Sequence, residues 1–428
     1  MARIVITSAG TLGDYLPFIY LGKKLHARGH SVCLAFNPTM IPLAQEACLE
    51  TAPCGAPFGA SELRRLTSAF DFWNPVKDEE LEMRWAAFNI DEGNYRDLAT
   101  ACRGADLLIC SSHHEKGSMV HERYGIPLIT VCLSHLEIRR APERPLAMNA
   151  EDRRLTVKWL AYLNDVRTRL GFSPLTFSEW ARSHLSRQLV LIASSSHFSQ
   201  PIPKDCPQGH LTGFWFGEDD AGSWAPSPEL ADFMNAEPAP LVLALGSLPV
   251  KDAARVVTVH ARAAARLNRR LLIQKGWADL GPESLQDPEL HGRPYFSGPV
   301  AHSWLFSRAA AVIHHGGIGT TAQAMRCGCP MVIEPYGNDQ FFNGQRVLSL
   351  GLGAVMHPHR LTAEGLARVL AEKVLRPESR CRASEMSAKL SKEDGLSLAC
   401  DLIEQQLAGK SAPLHQIETV ATSRGPNE

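Results

Sequence analysis

The stretch Val312–Gln340, VIHHGGIGTTAQAMRCGCPMVIEPYGNDQ, decides how this chain is read. Ala310, Ala311, Val312 and Ile313 form a short apolar run that predicts a buried strand. Two histidines follow, then a turn with Gly316, Gly317 and Gly319, then two threonines and a helical pattern carrying Ala322, Ala324 and Met325. A strand, a glycine turn and a helix start hold phosphate through the backbone. The N–H groups of the first helical turn point at the ligand, and the helix dipole favours negative charge there. Glycine lets the backbone come close, and His315 and Thr320 add side-chain donors. Taken alone, such a turn is equally an ordinary connection capped by threonines. The next segment tips the reading. Met331–Ile333 is another apolar strand, Glu334-Pro335 ends it, and Asn338-Asp339-Gln340 offers three polar groups in a loop. Phosphate donors in one turn and sugar-type hydrogen-bonding groups in the next predict a nucleotide-sugar site.

This stretch resembles the donor signature of the family 1 glycosyltransferases, enzymes of GT-B fold. It is most similar to the sterol glucosyltransferase and bacterial rhamnosyltransferase branches, with their HHGG-x-GTT and GDQF-like runs. The resemblance implies an α/β protein of two facing Rossmann-like, doubly wound domains with a cleft between them. It implies that His315, Gly317, Gly319 and Thr320 meet the donor diphosphate, and that Asp339 and Gln340 bond sugar hydroxyls.

Length and composition agree with two domains of about 200 residues each. The chain has 428 residues, 45% of them apolar and 21% charged, with a formal net charge of −1. That charge gives no electrostatic reason to expect nucleic acid or an anionic membrane as partner. Basic pairs such as Arg139-Arg140, Arg153-Arg154 and Arg269-Arg270 read as solvated helix faces. No run approaches the roughly 18 apolar residues of a spanning helix, and the start, MARIVITSAG, lacks the pattern of a signal peptide. The eleven cysteines, several inside apolar runs (Cys33, Cys110, Cys132), predict reduced core thiols and a cytoplasmic protein. Cys327-Gly-Cys329 has no second pair, so no metal is expected there, and no cofactor is expected, since a nucleotide sugar would be a substrate.

Short apolar strands are predicted at Arg3–Ser8, Ser31–Phe36, Asp106–Ser111, Leu128–Leu133 and Leu189–Ser194, with a helix over Leu16–Arg28. A second set is predicted at Leu241–Leu245, Arg270–Ile273, Ala310–Ile313 and Met331–Ile333. Strands alternating with helices imply parallel sheets covered on both faces. The proline-rich interval Gln200–Pro240 reads as the connection. The expected division is an acceptor domain over 1–215 and a nucleotide-sugar domain over 216–395. A helix over 396–408 crosses back, and a disordered tail occupies 409–428.

Near the start, GTLGDYLPF (Gly10–Phe18) follows the first strand and precedes the first helix, at the carboxyl edge where ligands bind in such sheets. Asp14 there is either a helix cap or a catalytic base. The run resembles the G-T-x-G-D-x-x-P segment of the same branches, whose matching aspartate lies at the acceptor hydroxyl, with Gly13 beside it at the donor. Plant-type members often carry a histidine at this place, supported by a separate aspartate; this chain has none, so Asp14 is expected to act alone. The chemistry implied is an inverting displacement, with general-base help worth roughly a hundredfold to ten-thousandfold and with backbone and side-chain donors, not a metal, on the leaving diphosphate.

Further donor contacts implied by the resemblance are Ser247, after the strand Leu241–Leu245, and Trp277, whose face could stack on a base or be structural. Val300 and His302 match a stretch that meets the nucleobase. One departure stands out: the family often has a ribose-binding glutamate where this chain has Gln323, a poorer acceptor. That loss costs a deoxythymidine donor least, yet sterol-type enzymes lack the glutamate too, so UDP-glucose is expected ahead of a dTDP-deoxysugar. Trp73, His113 and His135 are candidate acceptor contacts, with core packing or surface loops as the other reading of each; His113-His114-Glu115 lacks a third ligand for zinc. The expected partners are therefore a nucleotide-sugar donor and a lipophilic small-molecule acceptor. An epimerase on the same frame and a catalytically silent nucleotide-sugar-binding subunit are the alternatives.

Overall fold

A computed structural model describes residues 1–58, 61, 65, 90–113, 115–138, 150–217 (150–156 as backbone), 224–246, 248, 250–276, 280–337 and 339–409. The expected tail from 410 onward lies outside the described residues, as do Trp73, His114, Ser247, Trp277 and Asn338.

Two all-parallel sheets organise the chain. The first holds β1 (Arg3–Thr7), β2 (Ser31–Phe36), β3 (Glu50–Pro53), β4 (Leu107–Ser111), β5 (Leu128–Cys132), β6 (Leu189–Ile192) and β7 (Gly209–Leu211). Its order is β3-β2-β1-β4-β5-β6-β7. The second holds β8 (Leu241–Ala244), β9 (Leu271–Gln274), β10 (Pro294–Ser297), β11 (Ala311–His314), β12 (Met331–Ile333) and β13 (Gly353–Val355), in the order β10-β9-β8-β11-β12-β13. Four helices matter below: α1 (Leu12–Ala27), α2 (Ile318–Arg326), α3 (Gln340–Ser349) and α4 (Gly395–Leu407). Central strands such as β4 (LLICS) and β5 (LITVC) are buried at every position, as parallel strands covered by helices on both faces must be. Both sheets reverse strand order at one point, between β1 and β4 and between β8 and β11. Ligands of such sheets bind at that reversal, beyond the carboxyl ends of the strands.

The interval 200–240 is more than a connector. It supplies β7 to the first sheet and the helix Pro228–Asn235, whose Leu230 and Met234 join the core of the second. Phe198 and Phe214 also enter that second core, and Arg346 on α3 donates to the Phe198 carbonyl at 2.7 Å. Helix α4 returns to the first sheet: Leu396, Ala399, Cys400, Leu402 and Ile403 pack in one apolar cluster with β1, β2 and α1. Arg28, the residue that caps the end of α1, reaches Asp401 at 2.6 Å and Glu404 at 2.9 Å. Where the chain leaves β7 and where it enters α4, the two segments touch backbone to backbone. A Cβ on Gly395 would stand 2.6 Å from the Phe214 carbonyl oxygen and 2.8 Å from that of Gly213. Among the described residues, no helix is long and apolar enough to cross a membrane.

Docking of α4 rests on apolar burial more than on its ion pairs. We expect Ile403→Ala to cost about 2–5 kcal/mol, since it empties a fully buried position. Asp401→Ala, at a half-exposed pair, should cost at most about 1 kcal/mol. Urea unfolding of both variants measures the difference; equal losses would sink this ordering.

Candidate active site

The first sheet contributes an acid. Gly10, with φ +129°, turns the chain off β1, and Asp14 folds directly over it: a Cβ on Gly10 would meet the Asp14 carboxylate oxygen at 2.2 Å. Thr11 caps α1 and Asp14 is the third helical residue of the capping box. Its Oδ2 accepts from the Thr11 N–H at 2.6 Å and from the Thr11 hydroxyl at 3.2 Å, while Ser8 donates to the Asp14 carbonyl at 2.7 Å. Capping thus fixes one carboxylate oxygen. Burial pushes the Asp14 carboxyl above the usual aspartate range, with His113 and the Thr11 N–H pulling it back and Glu137 adding to the rise. Gly13, one residue earlier in α1, is exposed with open space over its Cα.

Asp14 is not isolated. His113 follows β4, the strand paired with β1, and its Nε2 lies 3.5 Å from Glu137 Oε1. Glu137, a residue the sequence reading missed, is gripped by the Ser112 hydroxyl, the Leu133 N–H at 3.0 Å and the Ser134 N–H at 3.1 Å. Burial would raise its pKa, but His113 and these donors outweigh it and hold Glu137 below the ordinary glutamate value. His135, two residues before Glu137, stacks on Phe342 of α3, with ring centres 6.3 Å apart and planes 14° from parallel. That stack joins the first sheet's side of the cleft to the second's.

The second sheet contributes the glycine turn after β11. Its two histidines do different work. His314 is fully buried; its Nδ1 accepts from the Gly316 N–H at 3.1 Å and its Nε2 faces Met331 Sδ at 3.5 Å. It is a neutral structural brace that burial holds well below the ordinary histidine pKa. His315 faces the site. Its ring lies between two glycines: a Cβ on Gly317 would sit 2.4 Å from His315 Nε2, and one on Gly246 would sit 3.3 Å from Cε1. Burial lowers the His315 pKa to about 4, with His302 adding to the fall, so the ring is neutral at pH 7, and its buried Nδ1 has no protein partner. Gly317 caps α2 without a side chain. The first intrahelical bond runs from the Thr321 N–H to the Gly317 carbonyl at 3.0 Å, so the N–H groups of Ile318, Gly319 and Thr320 precede the helical ladder and point outward. That geometry, an uncapped helix start beside an unpartnered histidine nitrogen, suits an anion.

The neighbouring turns complete the wall. Gln274 ends β9; its Oε1 lies 3.0 Å from His302 Nε2 and its Nε2 lies 3.4 Å from the Val300 carbonyl. The amide orientation makes His302 Nε2 the donor and leaves Nδ1 an acceptor. Burial lowers His302 to about 4, and its ring stacks on Phe306 at 4.6 Å. Gln323 on α2 points its amide at Cys327 Sγ, 3.5 Å away. After β12, Gln340 is largely committed: its Oε1 accepts from the Tyr336 N–H at 2.8 Å and the Gly337 N–H at 3.1 Å, leaving only its amide hydrogens for a ligand. Asp339 Oδ2 accepts from Asn343 Nδ2 at 2.8 Å. Burial raises the Asp339 carboxyl to about 7; the Asn343 bond opposes the rise, and Glu137 and Asp14 add to it across the cleft. Acids from both sheets therefore share one electrostatic field. Among the described residues, no group of three histidines, cysteines or acids is arranged to hold a metal.

Comparison with known proteins agrees with this architecture. Residues 298–397 match the family model of the erythromycin biosynthesis protein CIII-like C-terminal domain. The chain is 31% identical over 423 residues to O-mycaminosyltylonolide 6-deoxyallosyltransferase of Streptomyces fradiae, covering 94% of this chain and 97% of that one. It is 27% identical to a sterol 3-beta-glucosyltransferase of Neosartorya fischeri over 95% of its own length, and spans 29% of that longer relative. Among solved structures, the glycotransferase of kitacinnamycin superposes with a TM-score of 0.70 at 19% identity, covering 95% of this chain and 99% of that one.

Asp339 gives a signed pH prediction. Its carboxyl is raised from 3.8 to about 7 in the folded chain, so the proton is held more tightly in the folded state. The stability this contributes is fully present below pH 3.8 and gone once the pH has risen through 7. Asp339→Asn, which keeps an oxygen for Asn343, should therefore raise Tm relative to the parent at pH 8, and the advantage should shrink toward pH 5. A Tm difference independent of pH in thermal unfolding would refute the assignment.

Proposed function

The chain belongs to the family 1 glycosyltransferases of GT-B fold, and from that premise we propose that it moves a hexose from a nucleoside-diphosphate sugar to a hydroxyl of a lipophilic small molecule, with inversion. One observation carries the reading: Glu137 and Asp14 of the first sheet act on the Asp339 carboxyl of the second, beside the His135–Phe342 stack that joins the same two sides, so a base and a sugar-binding carboxylate face one cleft.

Asp14 uses the carboxylate oxygen not engaged by Thr11 to take the acceptor's hydroxyl proton. The freed oxygen attacks the anomeric carbon from the side opposite the diphosphate, and the bond from that carbon to the phosphate oxygen breaks. The bonding pair leaves on the diphosphate, where the N–H groups at the start of α2, Thr320 and His315 meet the new charge. No metal is required for this step. His113, steadied by Glu137, supports the ionised form of Asp14. Cleft closure around donor and acceptor excludes water from the reacting centre.

Two donors compete. The sterol glucosyltransferase relatives favour UDP-glucose, the donor expected from sequence. A dTDP-deoxysugar is favoured by Gln323 in place of a ribose-binding acid and by the full-length relative named for 6-deoxyallosyl transfer; we place it first. A polyketide or sterol hydroxyl is the acceptor class that these relatives' names suggest.

Asp14→Asn should lower kcat by roughly a hundredfold to ten-thousandfold while nucleoside-diphosphate affinity stays within about twofold, read by transfer assays and calorimetry. Undiminished turnover would remove Asp14 from the mechanism. Titration with UDP, dTDP and their glucose conjugates orders the donors. Tighter binding of the uridine series would reverse our preference, and conversion of donor alone to an epimer would overturn transfer as the reaction.

A further inference from the structure

We propose that Asn343 is a positioning residue that ties the phosphate turn to the sugar-binding carboxylate, so that donor diphosphate and donor sugar are recognised as one unit. The inference rests on the donor reading above and concerns how that site is held together.

Asn343 lies in the first turn of α3 and is fully buried. Its Nδ2 donates at 2.8 Å to the Gly316 carbonyl and at 2.8 Å to Asp339 Oδ2, so both amide hydrogens are used. Its backbone N–H donates to the Asp339 carbonyl at 2.9 Å, which fixes the distance between the two residues. Its Oδ1 is buried with no partner. A buried amide oxygen left unsatisfied is costly, and leucine, close in size, would fill the space without it. The polarity of position 343 is therefore explained by the two groups it holds, not by packing.

The surroundings leave the link little slack. Gly316 adopts φ +93° and presses on the start of α3: a Cβ there would meet Gln340 O at 3.2 Å and Ile333 Cγ2 at 2.7 Å. One turn on, a Cβ at Gly344 already stands 3.1 Å from Val355, so α3 is seated against β13. A rigid helix thus carries one amide to two loops. The turn after β11 presents N–H groups to phosphate, and Asp339 presents oxygen to sugar hydroxyls. The bond from Nδ2 also favours the ionised form of Asp339. The charged groups facing that carboxylate are Glu137 and Asp14, which oppose ionisation, and His113, which favours it. Without Asn343 the balance shifts toward the protonated acid.

The test compares the full-length parent with Asn343→Leu, which removes both bonds, and with Asp339→Asn as reference. Calorimetry gives Kd for UDP, dTDP, UDP-glucose and dTDP-glucose from pH 6 to 9. The ratio of nucleoside diphosphate to nucleotide sugar isolates the sugar's share. In the parent that share should grow as pH rises through about 7, where Asp339 ionises. In Asn343→Leu it should fall by about tenfold, the loss expected for a hydrogen bond to a charged group, and its pH midpoint should move upward. If Asn343→Leu does not fold, Asn343→Ser answers the same question, since one hydroxyl hydrogen serves only one of the two acceptors. A variant with a lowered Tm but the parent's ratio and midpoint would reduce Asn343 to a packing residue and overturn the proposal. Absence of nucleotide binding by the parent would fail the donor reading itself. An unchanged sugar share in Asp339→Asn would fail the role of Asp339 while leaving phosphate binding standing, and with it would go the link proposed here.

Discussion

A parallel sheet delivers every strand-to-helix turn to the same edge, and that constraint governs this molecule. Both sheets run their strands in one direction and reverse their order at a single point. The turns after β1 and β4, and after β8 and β11, are thereby brought to crevices that no covering helix fills. The chemistry is laid onto those turns. Backbone approach then becomes the limiting requirement, and glycine meets it. Gly246, Gly276 and Gly316 all take positive φ at the second edge. A Cβ on Gly276 would lie 2.4 Å from the Gly246 carbonyl oxygen, so these turns lie against one another with no room for side chains. The resulting floor is made of main chain, which can hold an anion without adding fixed charge.

Charge is managed with the same economy. The histidines on the nucleotide side, His302, His314 and His315, are held neutral by burial. The acids Glu137, Asp14 and Asp339 gather from both sheets, with His113 among them. Glu137 is held ionised by three donors and His113, whereas Asp339 sits near the midpoint of its titration at neutral pH. In the proposed reaction a diphosphate entering such a site would meet hydrogen-bond donors and dipoles, with the acids left for the sugar and the acceptor. Segregating neutral donors from ionised acceptors would let one cleft hold a leaving anion and a proton-accepting carboxylate together, as the proposed mechanism requires.

The parts of this arrangement that were legible in the sequence are those that depend on burial from both sides. Every interior strand, from β1 (RIVIT) to β12 (MVI), was predicted within two residues at its ends, because a covered parallel strand must be continuously apolar. The four that were missed, β3 (ETAP), β7 (GHL), β10 (PYFS) and β13 (GAV), are the four sheet edges. An edge strand has one neighbour and a half-open face, so it can carry proline, glycine or histidine and leave no periodic signal. The site divides in a similar way. The glycine turn, Asp14 and Asp339 announce themselves through local spacing. Glu137, Gln274 and Asn343 do not, since each has a decisive partner distant in the chain (Ser112, His302 and Gly316) and looks, in sequence, like any polar residue near an element's end. Of the two histidines the sequence reading singled out His315; the surroundings of each ring add that His314 is a buried brace while His315 keeps an unpartnered nitrogen.

The touching of Gly213–Phe214 against Gly395 has a mechanical meaning. The two strands of polypeptide that join the sheet-bearing halves pass through one spot at van der Waals range. If the halves rotate as the proposed closure requires, an axis through that spot would disturb this contact least, much as two leaves share one pin, while sliding of one half along the other would require the strands to part. A methyl group added at 395 would wedge the pin and bias the angle between the leaves without touching any residue of the cleft.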